Sequence, residues 1–146
     1  MVISVGSDHG GFLLKEDVIR YLKEKGYDVL DKGCDSQESV HYPIYASSVC
    51  EDIQNGLANI GILICTTGFG MAICANKHKG IRSAVVRSVE EAMLSRNHNN
   101  CNVLCLGAKY TSIDQAKEII DTFISTPFAG GRHQIRVDMI KELEDK

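Results

Sequence analysis

Residues 64–71 read Ile-Cys-Thr-Thr-Gly-Phe-Gly-Met: one thiol at the end of an apolar run, then two hydroxyls and two spaced glycines. Glycine permits close approach and positive φ angles, so the amides of residues 66–70 are expected to converge on an anion. A helix beginning there adds partial positive charge. A thiolate beside such a nest can attack a carbonyl carbon or remove a proton from the carbon next to it. An isolated cysteine is more often inert packing, and Cys34, Cys50, Cys74, Cys101 and Cys105 are read that way. Only Cys65 is surrounded by glycine and hydroxyl chemistry. Known glycine loops fail on the residues. There is no Gly-x-x-x-x-Gly-Lys-Ser/Thr, and a dinucleotide fingerprint begun at Gly68 would need glycine where Ile73 stands. The arginine that low-mass cysteine phosphatases need six residues after the nucleophile is Met71 here.

Three further groups could join that chemistry. Asp8-His9 follows an apolar run and can line a crevice, although such a pair alone is more often a turn and helix cap. His98-Asn99 closes an amphipathic stretch, where a surface C-cap is an equally good reading. Arg132 and Arg136 stand four apart, so a helix puts both guanidinium groups on one face, suited to a phosphate dianion. Their bland alternative is surface pairing with Asp138 or Glu142. Gly130 and Gly131 just ahead of them favour binding.

These groups need a scaffold. The 146 residues fit a single domain, 1–146, with 44% hydrophobic and 24% charged residues. A net charge of −3 lacks the basic surplus of a nucleic-acid binder. No apolar run is long enough for a membrane span, and no signal pattern opens the chain. Six cysteines without C-x-x-C spacing then read as reduced thiols in a cytoplasmic protein, not as zinc ligands or redox pairs. Short apolar runs at 2–6, 27–31, 60–65, 81–86 and 102–107 are predicted strands. Amphipathic stretches between and after them are predicted helices, one closing on Gly26 and the last having its apolar face at 135, 139, 140 and 143. Strand alternating with helix predicts an α/β fold: a five-stranded parallel sheet between two helical layers, with a C-terminal helix. Ligands of such sheets bind beyond the strands' carboxyl ends, which nominates the segments after the first, third and fifth strands.

With Asp8-His9, residues 65–70, Ala-Asn-Lys at 75–77, Ser-Arg-Asn-His-Asn at 95–99 and Gly-Gly-Arg-His-Gln-Ile-Arg at 130–136 in order, the chain resembles the type B ribose-5-phosphate isomerases. These share a superfamily with the galactose-6-phosphate isomerase subunits. The resemblance runs over residues 2–141. It implies a Rossmann-like three-layer fold that forms a homodimer, with tetramers left open. It also implies interconversion of ribose 5-phosphate and ribulose 5-phosphate without metal or organic cofactor. By the same resemblance, Cys65 is the base between C1 and C2 and Thr67 stands beside it. Thr66, Thr67, Gly68, Phe69 and Gly70 hold the enediolate, and His98 opens the furanose ring with Asp8 sharing that task. His9, Asn99, Lys109, Arg132 and Arg136 bind substrate, and the partner subunit completes each site. Three residues depart from the pattern: Thr66 stands for glycine, Lys109 for arginine, and His41 for the aspartate common in pentose isomerases. The last resembles one galactose-6-phosphate isomerase subunit. That enzyme divides the cysteine loop and the arginine motif between two chains, whereas this chain carries both. Hexose 6-phosphates such as allose 6-phosphate remain an alternative substrate, as does a nucleotide-binding module using residues 65–70 only as a phosphate nest.

Overall fold

Five stretches of nearly unbroken apolar sequence become five parallel strands in the computed structural model, which describes residues 1–146. They are β1 (Val2–Ser7), β2 (Asp28–Asp31), β3 (Ile60–Cys65), β4 (Ser83–Val85) and β5 (Val103–Gly107). Their spatial order is β2-β1-β3-β5-β4, and every neighbouring pair is parallel. β3 and β5 are buried along their full length, which is why their sequences do not alternate. Helices α1 (Phe12–Glu24), α2 (Tyr42–Gln54), α3 (Phe69–Ala75), α4 (Val89–Asn97), α5 (Ile113–Ser125) and α6 (Arg132–Leu143) connect or follow them. Leu14, Val18 and Leu22 of α1, Ala92 of α4 and Ile119, Ile120 and Phe123 of α5 cover one face of the sheet. Ala46, Val49 and Cys50 of α2 with Met71 and Ala75 of α3 cover the other. The predicted three-layer α/β/α architecture is therefore the observed one. No helix is long and apolar enough to cross a membrane.

Local chemistry explains the boundaries. Ser112 and Gln115 form a reciprocal capping box at the start of α5, and Ser88 caps α4 through the Glu91 N–H. β4 is shorter than the predicted 81–86 because side-chain amides replace the ladder around it. Arg82 N–H donates to Asn102 Oδ1 at 2.9 Å, and Asn76 exchanges hydrogen bonds with both backbone groups of Ser83. The helix after β3 stops at Ala75, where Asn76 turns to make those bonds. α6 forms as expected, but the apolar face read at 135, 139, 140 and 143 does not pack on this chain's core: only Val137 is buried, and Ile135, Met139, Ile140 and Leu143 are all exposed.

One buried cation helps to shape the sheet's carboxyl edge. Lys15, only 1% exposed, donates to Asp31 at 3.0 Å and to Glu16 at 2.8 Å. Burial opposes its charge, but the two carboxylates outweigh it and raise its proton affinity above the ordinary lysine value. Asp31 also accepts the Gly33 N–H, and Gly33 C=O accepts the Ser7 N–H at 2.7 Å. The loop after β2 is thus tied to the residue just before Asp8.

Candidate active site

The carboxyl ends of β1, β3 and β5 lie side by side, and with them three of the predicted groups. Ser7 is in register with Ile64, and Cys65 with Gly107. Past those rungs the loops remain stitched together: Asp8 N–H donates to Ile64 C=O, Ala108 N–H to Cys65 C=O and Lys109 N–H to Thr66 C=O. Asp8, His9, residues 65–70 and Lys109 therefore surround one crevice. It opens where the chain, having gone outward from β1 to β2, returns to the other side of β1 as β3.

Cys65 is 5% exposed, and its Sγ accepts the Gly68 N–H at 3.1 Å. Gly68 adopts a φ of 85°, and a Cβ there would press on the Leu106 and Gly107 backbone, so glycine is required on both counts. The nest is smaller than the sequence implied. Gly68 already serves the sulfur, and Phe69 N–H donates to Thr67 Oγ1 at 3.2 Å. The N–H groups of Thr66, Thr67 and Gly70 donate to nothing within the chain and are the donors available to a ligand. Three other thiols sit deep in the fold. Burial pushes Cys50 up to about 12 and Cys101 up to about 11, and drives Cys105 higher still, so all three stay protonated near neutrality.

Asp8 does what the bland reading expected and leaves room for more. Its Oδ1 accepts the Gly10 and Gly11 N–H groups, capping the single 3-10 turn before α1, while Oδ2 takes no hydrogen bond. His9 Nδ1 accepts the Val40 N–H at 3.2 Å, so the ring's remaining proton sits on Nε2, its outer nitrogen. The Thr66 hydroxyl stands over Gly10, in the space a side chain there would need, and in this way the chain accommodates threonine in that loop. Lys109 is exposed, with its ammonium 5.7 Å from the Tyr110 ring centre. His41 is an exposed N-cap for α2 and makes no capping bond through its side chain.

The remaining predicted residues gather elsewhere. α4 runs back from the carboxyl edge, so His98, its C-cap, and Asn99 lie just ahead of Val103, the first residue of β5. α5 also runs back, and Ala129 N–H donates to Asn97 C=O, which brings the start of α6 to the same place. His98, Asn99, Arg132 and Arg136 thus stand at the amino edge of the sheet. Cys65 pairs with the last residue of β5, so the four steps of that strand alone separate the two clusters by about 13 Å. Arg132 and Arg136 form no ion pair, since the ion pairs of the chain involve Lys15, Arg20, Lys32 and Lys79. Asp138, the expected surface partner, accepts from Gln134 instead.

Two neighbours escaped the sequence reading. Tyr42 lays its ring against Gly70, where a Cβ would meet ring carbons at 2.7 Å. Its sequence context is only a Tyr-Pro helix start. His133 stacks on His98 with ring centres 4.4 Å apart and planes 11° from parallel. It was visible between the arginines, but the i,i+4 rule drew attention to its flanks. A cavity of about 570 Å³ lies away from Cys65, between α6 and the β4 edge, and touches this cluster only through Asn99.

A family model described as Ribose/Galactose Isomerase matches residues 3–140. The chain belongs to that family. It is 44% identical over 144 residues to ribose-5-phosphate isomerase B of Escherichia coli (strain K12), covering 99% of this chain and 97% of the relative. It is 40% identical to a putative sugar phosphate isomerase of Bacillus subtilis (strain 168) across 100% of this chain and 99% of the other. Among solved structures, ribose-5-phosphate isomerase B of Clostridium thermocellum superposes with a TM-score of 0.98 at 45% identity, covering 99% and 98% of the two chains. The type B enzyme of Trypanosoma brucei gives 0.93 at 41% identity, covering 97% of each. Membership in the isomerase family makes this chain a sugar-phosphate isomerase on the predicted fold.

Gly11 sets how closely the turn after β1 approaches the end of β3. A Cβ on Gly11 would meet Ile64 C=O at 2.5 Å, the same carbonyl that accepts the Asp8 N–H. Gly11→Ala is expected to cost about 1–3 kcal/mol of stability, the usual penalty of overpacking, with activity lost before the fold. Urea unfolding and turnover measured on the same preparation check this.

Proposed function

We propose that the chain interconverts ribose 5-phosphate and ribulose 5-phosphate through an enediolate, with Cys65 as the base. The observation that carries the reading is the thiol at the junction of β1 and β3, beside the unspent N–H groups of Thr66, Thr67 and Gly70. In the furanose form the ring oxygen is bonded to C4, whose neighbour C5 bears the phosphate. A ring-opening acid therefore works close to the phosphate anchor, and a C1–C2 base works at the sugar's other end. His98 beside Arg132 and Arg136, with Cys65 apart from them, matches that division. His98 gives a proton to the ring oxygen while the free oxygen of Asp8 takes the one on the C1 hydroxyl, and the C1–oxygen bond opens to the aldehyde. The Cys65 thiolate removes the C2 proton, and the three N–H groups with Thr67 stabilise the charge that develops on oxygen. Transfer of the C2 hydroxyl proton to the oxygen on C1, and return of the proton held by Cys65 to C1, give the ketose with the thiolate restored.

One chain holds these groups at opposite edges of its sheet, so the reading includes a homodimer in which a second copy supplies His98, Asn99, Arg132 and Arg136 to the Cys65 crevice. His9 and Lys109 bind substrate from the Cys65 side, with Gly68 and Phe69 shaping the loop. Incubating purified protein with ribose 5-phosphate, allose 6-phosphate and galactose 6-phosphate in turn, without added metal, tests the assignment. Turnover of the pentose phosphate is expected to be fastest. Exclusive turnover of a hexose phosphate would move the substrate assignment, and turnover of none would overturn it.

The anchor has its own signature. Arg132→Ala and Arg136→Ala should each weaken phosphosugar binding by roughly 1.5–3 kcal/mol, the worth of a hydrogen bond to a charged group. Free ribose should be a poor substrate for wild type and little affected by either change. Equal losses on ribose and ribose 5-phosphate would show that the arginines do not read phosphate.

A further inference from the structure

His133 has no part in the scheme above, yet its ring stacks on that of His98. The two rings lie nearly flat on one another, 4.4 Å between centres, one from the end of α4 and the other from the first turn of α6. Their relative placement is fixed by two hydrogen bonds between the connecting segments. Ala129 N–H donates to Asn97 C=O and Arg96 Nε donates to Thr126 C=O, so the segment leading into α6 is fastened to the end of α4. The charged groups acting on His133 are His98 across the stack and Arg132 and Arg136 on its own helix; no carboxylate is among them. Two imidazoles and two permanent cations therefore share one small region.

We propose that the His98–His133 stack couples the two ends of the reaction: a dianion on Arg132 and Arg136 raises the proton affinity of the stacked pair. The phosphate of the substrate thereby loads the proton that His98 delivers to the ring oxygen. The inference rests on the reading of the arginines as the phosphate anchor. Its physics is Coulombic. In the free protein, desolvation in the stack and then the charges of His98, Arg132 and Arg136 hold His133 below the ordinary histidine range. A bound dianion cancels the arginine contribution and attracts a proton from solvent onto the pair. No other reactant is needed: one proton leaves water and one imidazole becomes imidazolium. A substrate without phosphate would lack this pull on a proton, so the anchor contributes to ring opening as well as to binding. His133 is on this account a positioning and charge-setting residue, with His98 the group that meets the sugar.

The imidazole C–H signals of the full-length protein, followed against pH by NMR, test this directly. One series contains sulfate and the other chloride at matched ionic strength. Sulfate is a dianion that has no proton of its own to exchange across the range. His133→Phe, which keeps a flat ring in the stack, identifies the His133 signal by its loss. Sulfate is expected to raise the proton affinity of His133 at least about threefold, a modest Coulombic effect at a half-buried, solvent-screened site. Arg136→Ala should remove most of that change. Sulfate that binds, with saturating shifts lost in Arg136→Ala, but leaves both histidine titrations unmoved would overturn the coupling while the anchor stands. Sulfate that does not bind at all would overturn the anchor, and the coupling with it.

Discussion

Replacing Cys65 with alanine is expected to lower turnover of ribose 5-phosphate by roughly 10²–10⁴-fold, the contribution typical of a positioned base, while leaving the fold intact. No substitute stands nearby: residues 64–71 contain no carboxylate or histidine, and Asp8 has one oxygen committed to the Gly10 and Gly11 N–H groups. The loop should survive the change, because Gly68 owes its conformation to the backbone of β5 as well as to the sulfur. Cys65→Ser would restore the size and a hydrogen-bond acceptor but not a thiolate, so it should remain close to the alanine variant. Iodoacetamide should inactivate the wild type, and ribose 5-phosphate should protect it. The buried thiols Cys50, Cys101 and Cys105 are held protonated near neutrality and should not compete for the reagent. Cys50→Ala and Cys105→Ala should matter only through packing. Wild-type turnover in Cys65→Ala would remove the base from the mechanism.

The sheet was legible because its strands are nearly pure apolar runs and its helices are amphipathic. Period and length together leave a parallel α/β arrangement as the solution. The carboxyl-edge half of the site was legible for the same reason, since a rule about strand ends placed Asp8, Cys65 and Lys109 together before any coordinates did. What the sequence could not supply were contacts between distant segments. The Tyr42 ring over Gly70, the His133 ring on His98 and the Asn76 amide against β4 join residues with no local signature. The expected five-amide nest shrank to three free donors because Gly68 and Phe69 turn inward to side chains of their own loop. Surface pairing of the two arginines with Asp138 or Glu142 stayed open in the sequence; the fold leaves both arginines without an ion pair and gives Asp138 to Gln134.

The separation of Cys65 from His98 within one chain makes the strongest demand of all, and mixing two inactive variants measures it. Cys65→Ala and His98→Ala subunits are each expected to form inactive dimers. When the two are mixed in equal amounts under conditions that allow subunit exchange, about half of the dimers should contain one of each. In a mixed dimer with shared sites, one site carries both lesions and the other carries neither. Activity should therefore return to roughly a quarter of wild type, assuming free exchange and independent sites of a symmetric dimer. A site built from a single chain would keep one lesion in every copy. Recovery near a quarter is the result that the two-edge geometry predicts, and exchange demonstrated without any recovery would contradict it.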